Sequence, residues 1–147
     1  MDIKRWENYF LTVAETAAAQ SKDPNTKVGC VITDKYDRII STGFNGLPRG
    51  IKDTAKILND RDTKLMIILH AEVNAILFAK RDLVECILYS THIPCSSCAS
   101  LIIQTGIKQV IVGTEVGKEL TERWNTSLEL SKKIFKEAGV KIKEVSR

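Results

Sequence analysis

Two short clusters of chemistry-bearing residues, His70-Ala71-Glu72 and Pro94-Cys95-Ser96-Ser97-Cys98, bracket a stretch just long enough for the end of one helix, a loop and one strand. Residues 65–80 read as a helix with Leu69, Val73, Ile76 and Leu77 on one side, residues 87–91 as a strand, and residues 95–105 as a helix stopped by Gly106. The strand must deliver the second helix beside the first, so two helix amino ends converge on one place. His70 falls at or near the first turn of its helix. Glu72, two positions on, does not share its helix face, yet both side chains can reach a point just off the helix end. Cys95 and Cys98, three apart at a helix start, bring two sulfurs to one point, and Pro94 suits the entry.

The rest of the chain supplies a scaffold for that corner. Trp6, Phe10, Val13, Ala14 and Ala17 recur at helical spacing, giving an amphipathic helix over 2–20 that the Asp23-Pro24-Asn25 turn breaks. Apolar, β-branched runs at 28–33 and 38–44 flank the turn Asp34-Lys35-Tyr36-Asp37 and read as a hairpin. A loop with two glycines and a proline follows at 45–50, and residues 51–63 are polar and carry no clear period. Further along, 110–113 reads as a strand, 122–138 as a long helix ended by Gly139, and 140–145 as a last strand. A helix, a hairpin, then helices alternating with strands imply one α/β domain over residues 1–147, a five-stranded mixed sheet covered by helices on both faces.

Cysteine usage separates two kinds of site. The chain has 147 residues and four cysteines; its opening acidic and basic residues do not read as a secretory leader, and its densest apolar run is too short to span a bilayer. A cytoplasmic location is expected, where disulfides are uncommon and clustered cysteines serve metal or catalysis. Cys30 and Cys86, in apolar surroundings, read as inert packing residues. His70, Cys95 and Cys98 make a set suited to zinc, and three protein ligands leave a fourth position for water, the mark of a catalytic site. Glu72 then stands ready to take a proton from that water and pass it on. A redox Cys-x-x-Cys leaves His-x-Glu unexplained, and half of a structural zinc knuckle lacks its second Cys-x-x-Cys. His92 reads as a core or loop histidine. Net charge is +4, which suits an anionic small molecule and is too weak to demand nucleic acid.

The order His-x-Glu … Pro-Cys-x-x-Cys is the signature of the zinc deaminases. With SKDPNTKVGCVI (21–32), STGFNGLPRG (41–50), HAEVNAI (70–76) and PCSSCASLIIQTGI (94–107), the chain resembles the cytidine and deoxycytidylate deaminases, and within them the dCMP branch. The resemblance covers almost the whole chain. It implies a three-layer α/β/α cytidine-deaminase-like fold and hydrolysis of dCMP to dUMP and ammonia, which supplies dUMP for thymidylate synthesis. It also implies one catalytic zinc per chain, because Ile51 stands where several relatives place a cysteine for a second, structural zinc. By the same resemblance Glu72 is the catalytic proton carrier and Asn45 contacts the nucleoside. Lys22, Asn25 and Arg123 are candidates for the nucleotide and its phosphate, Arg123 because a guanidinium binds phosphate bidentately. Many relatives are hexamers switched on by dCTP and off by dTTP, which makes Phe44, Asn45, Gly46 and Arg49 a candidate effector loop. A homo-oligomer, a hexamer above others, is expected, in a host's cytoplasm if the gene is viral.

Three rivals stay open on the residues alone. dCTP or another cytosine nucleotide fits the same motifs. A tRNA adenosine deaminase shares His-Ala-Glu and Pro-Cys-x-x-Cys but needs a surface for folded RNA, and no basic stripe offers one. A nonenzymatic zinc module would keep the cysteines with no reason to set Glu72 beside an open coordination position.

Overall fold

The protein is described by a computed structural model covering residues 3–114 and 122–147, with side chains described for 5–113 and 125–147. One sheet organises it, with strand order β2-β1-β3-β4-β5. The strands are β1 (Gly29–Thr33), β2 (Ile39–Phe44), β3 (Ile87–Ser90), β4 (Gln109–Thr114) and β5 (Lys141–Ser146). β1 runs antiparallel to both β2 and β3, whereas β3, β4 and β5 are mutually parallel. The expected five-stranded mixed sheet is present, with each strand end within a residue or so of the sequence reading.

Strand alternation divides the core in two. Val31, Tyr89 and Ile111 point to one face and pack against Phe10, Leu11 and Ala14 of α1 (Ile3–Ala18). Cys30, Ile32, Leu88, Val110 and Val112 point to the other face. There they meet Ala71 and Ala75 of α4 (Ala71–Ala79), Ala99 and Ile102 of α5 (Ser96–Gln104) and Phe135 of α6 (Glu122–Glu137). The result is the expected three-layer α/β/α arrangement. Two glycines set how closely helices approach the sheet. A Cβ at Gly29 would run into the backbone of α1 at Ala14 and Ala18, and one at Gly43 into the backbone of α4 at Ala71 and Ala75. At the far edge β5 is tied back to α1, where Lys143 Nζ donates to Glu7 Oε1 at 2.6 Å and Arg147 donates to Asn8, Thr12 and Glu15.

The region between β2 and β3 departs from the sequence reading. Residues 65–80 are not one helix. α3 (Arg61–Ile67) stops, residues 68–70 run extended with ψ of 138° at Ile68 and 157° at His70, and α4 starts at Ala71. The apolar period continues through the break, so a tertiary contact decides it: Leu69 N donates to Gly46 O at 2.8 Å and Gly46 N to Leu69 O at 3.0 Å. The stretch without a clear period holds a short α2 (Ala55–Asn59), its amino end capped by Thr54, and the start of α3, capped by Asp60. No helix among the described residues is long and apolar enough to cross a membrane.

Candidate active site

The topology gathers five segments at one end of the sheet. β1 is antiparallel to β2 and to β3, with Gly29 opposite Phe44 and Cys30 opposite Ser90. The loop entering β1 (21–28), the loop leaving β2 (45–50) and the loop leaving β3 (91–95) therefore share that end. The Gly46–Leu69 bridge brings the entry to α4 there as well, and in this antiparallel pairing Asn45 stands opposite His70. The amino end of α5 follows from the third loop. In open α/β sheets the carboxyl ends of parallel strands are where ligands bind.

His70 and Cys95 occupy the same position on two helices: each is the N-cap residue, of α4 and α5 respectively, and neither side chain makes a capping bond. Serine, threonine, asparagine or aspartate is the usual choice there, because its oxygen satisfies a helix N–H. An imidazole and a thiol leave that duty and reach instead across the gap between the helix ends. His70 Nδ1 lies 3.2 Å from Cys98 Sγ and 3.5 Å from Cys95 Sγ. All three donor atoms lie within 4.8 Å of one another.

That donor set fits zinc. Ligand edges of a tetrahedral site with sulfur and nitrogen donors are roughly 3.5–3.8 Å, close to the spacing here. The proton affinities of the trio point the same way. The Cys98 thiol hydrogen-bonds to Cys95, which drives Cys98 well above the ordinary thiol range and Cys95 well below it, His70 adding to the latter effect. Its hydrogen bond to Cys95 raises His70 against the opposing pull of burial. Three groups sharing protons in so small a space hold what a divalent cation displaces.

Glu72, 4% exposed, sits two residues past His70 in the first turn of α4. Burial raises its carboxyl above the ordinary range, while the Cys98 thiol and the His70 charge work to lower it. A buried carboxyl shifted upward beside a histidine and two cysteines is the kind of environment in which acid/base groups are found. Ser90, fully buried at the end of β3, hydrogen-bonds to Glu72 Oε1 at 3.4 Å.

Two serines of α6 hold the cysteine loop from behind. Ser131 Oγ donates to Pro94 O at 2.8 Å, and Ser127 Oγ accepts from Ser96 N at 3.0 Å. Sequence reasoning missed Ser90, Ser127 and Ser131. For the α6 pair the available signal is a polar residue on the apolar face of an amphipathic helix; Ser90 gives none.

The other expected residues divide. Asn45 is 7% exposed, and its side chain spans the neighbouring loop, accepting from Val28 N at 2.9 Å and donating to Thr26 O at 2.8 Å. The Phe44 carbonyl accepts from Asn74 Nδ2 at 2.8 Å, and Gly46 forms the bridge to Leu69. Arg49 is exposed, with its guanidinium 6.0 Å from the centre of the Phe78 ring. Lys22 is exposed and paired with Asp53 at 3.3 Å, and Asn25 is exposed one turn away in the same loop. Arg123 and its neighbour Trp124 fall outside the described side chains. Cys30 and Cys86 are buried, and burial raises both thiols. His92 lies in the loop after β3 with its Nδ1 3.0 Å from Thr91 Oγ1, apart from the three-ligand cluster.

Residues 4–114 match the family model for the cytidine and deoxycytidylate deaminase zinc-binding region. The chain belongs to this deaminase family. Among the deaminase's relatives, one from Aliivibrio fischeri, known as the uncharacterized deaminase in the luxG 3' region, is 46% identical over 140 residues, 95% of this chain and 93% of its own. Human deoxycytidylate deaminase is 42% identical over 118 residues, 75% of this chain and 65% of its own length. The dCMP deaminase of cyanophage S-TIM5, solved in complex with dCMP and dUMP, superposes with a TM-score of 0.79 over 99% of both chains. At 24% identity that likeness is one of fold.

Proposed function

We propose that the protein deaminates dCMP to dUMP and ammonia, with water as co-substrate, as one deaminase domain acting within the cytoplasm. The observation that carries the reading is the buried Glu72 beside the His70, Cys95 and Cys98 trio at two converging helix ends. The names of the human relative and of others like it direct the choice of nucleotide. A zinc ion held by the trio supplies a Lewis acid and lowers the pKa of bound water to about 7.

The chain's own residues do the rest. Glu72 accepts one proton of the attacking water and gives it to the ring N3, then takes the second from the new C4 hydroxyl and gives it to the leaving amine, so that water's two hydrogens and oxygen are all accounted for in dUMP and ammonia. Burial raises its carboxyl, which makes it a more willing proton acceptor than an exposed glutamate. The amino ends of α4 and α5 place partial positive charge where negative charge develops. Asn45 retains one amide hydrogen and one lone pair beyond its two loop bonds, and these serve the nucleoside. Lys22, Asn25 and Arg123 serve the phosphate; the exposed Lys22–Asp53 pair is weak enough to yield to it.

We further place effector control by dCTP and dTTP at Phe44, Asn45, Gly46 and Arg49. A homo-oligomer is supported by the apolar surface of α4 and α5, where Leu77, Phe78 and Leu101 are about half exposed, and the family resemblance makes a hexamer the form to test first. The test is a substrate panel on zinc-loaded protein, following loss of the cytosine absorbance band. dCMP is turned over faster than CMP, dCTP and deoxycytidine, each measured with and without added dCTP or dTTP. A zinc-replete protein that leaves dCMP untouched overturns the reading.

A further inference from the structure

Lys64 of α3 is only 4% exposed, an unusual fate for a lysine, and its Nζ lies 3.2 Å from Oδ1 of the equally buried Asp23. Asp23 is more than a counter-ion. The same Oδ1 accepts from Asn25 N at 2.8 Å and Thr26 N at 3.2 Å, so one carboxylate oxygen folds the turn and receives the lysine. The turn in turn grips Asn45: Thr26 O accepts from Asn45 Nδ2, Val28 N donates to Asn45 Oδ1, and Ser21 Oγ donates to Asn45 O at 2.8 Å. On its other side Lys64 sits one turn before the stretch that leads through the Leu69–Gly46 bridge to His70. A single buried ion pair therefore joins the segment delivering a metal ligand to the loop that seats Asn45.

We infer that Lys64 is a positioning residue for the nucleotide, acting through Asp23 to fix the 21–28 loop and Asn45 relative to the metal corner. Burying an ammonium is costly, and an apolar side chain of similar volume would pack as well. What the pair adds is direction: the carboxylate can satisfy Lys64, Asn25 N and Thr26 N only with the turn in one place. The inference rests on the dCMP reading for what the loop binds, and on geometry alone for the brace itself.

The experiment uses the zinc-loaded full chain, Lys64→Met, and the double variant Asp23→Asn/Lys64→Met. The double variant leaves no buried charge alone, which protects the fold, and its carboxamide still accepts from the turn, so what it lacks is the tie to α3. In both, KM for dCMP rises on the order of tenfold, kcat stays within about threefold and zinc content is unchanged. Amide exchange at Asn25, Thr26 and Val28 speeds up about tenfold or more while Val31 in β1 is unaffected. Lys64→Arg, which keeps a cation, returns KM toward wild type. A double variant with wild-type KM and wild-type protection over 25–28 overturns the inference, as does a loss of kcat and zinc with KM unmoved. Exchange is read without substrate, so a wild-type protein inert toward dCMP sinks the dCMP reading while the exchange data still judge the brace.

Discussion

The two faces of the sheet are built from similar apolar material and differ in what interrupts it. Under α1, Phe10, Leu11, Ala14, Val31, Tyr89 and Ile111 close around a stack in which the Trp6 and Phe10 rings lie 5.7 Å apart and Phe10 and Tyr89 4.9 Å apart. Buried polar groups occur on both sides, Glu7 of α1 tied to Lys143 among them, but under α4, α5 and α6 the core carries Glu72, Ser90, Cys98 and Ser131, gathered where the loops leave the sheet. Polar groups in a core cost stability unless they are bonded or serve another end. One face is made for holding, and the other gives up some holding for chemistry.

That contrast can be broken or sharpened by substitution. Cys98→Ala carries the largest expected effect: zinc content measured by metal analysis falls to near nothing and activity with it, and thermal stability of the zinc-loaded protein drops toward that of chelator-treated wild type. Glu72→Gln comes next. Its kcat falls about 10²–10⁴-fold, zinc content holds, and the melting temperature is equal or higher, because a buried carboxylate has been neutralised. Phe10→Ala reverses that pattern. Chemical denaturation shows a loss of about 3–5 kcal/mol, while zinc content and kcat of the folded fraction stay at wild-type values. Ser131→Ala strands the Pro94 carbonyl and costs about 1–3 kcal/mol, and it weakens zinc affinity as well, since that carbonyl adjoins Cys95.

The smallest effect is confined to alkaline conditions. Burial pushes the Tyr89 hydroxyl up from its ordinary value near 10 to about 12. The folded state thus favours the protonated phenol, so its contribution is complete below pH 10 and is lost as the pH climbs from about 10 to about 12. Stability measured across that window falls in the wild type, and Tyr89→Phe flattens the fall. If Glu72→Gln weakened the fold as Phe10→Ala does, the division between the faces would be wrong.

The chemistry-bearing residues were legible because their spacing is local. His70 with Glu72, and Cys95 with Cys98, are each close neighbours in sequence, and one strand suffices to bring the pairs together. The α/β layering was legible because strand runs and helical periods alternate cleanly after residue 65. The break at 68–70 was not, since Leu69 keeps the apolar period and only its pairing with the distant Gly46 stops the helix. The serines that support the site were hidden for the same reason: Ser131 meets Pro94 across 37 positions and Ser90 meets Glu72 across 18. The α2 and α3 starts could have been read from Thr54 and Asp60, whose capping bonds reach only three residues ahead.

Gly43 gives the scaffold a hard stop. With no side chain between them, β2 and α4 rest backbone against backbone, and there is no slack through which the helix bearing His70 and Glu72 could drift. A lineage that needed a larger or smaller substrate could not obtain it by respacing the layers. It would have to work at the rim, through the length and composition of 21–28 and 44–50, which makes those loops the natural targets for anyone redesigning the enzyme's appetite.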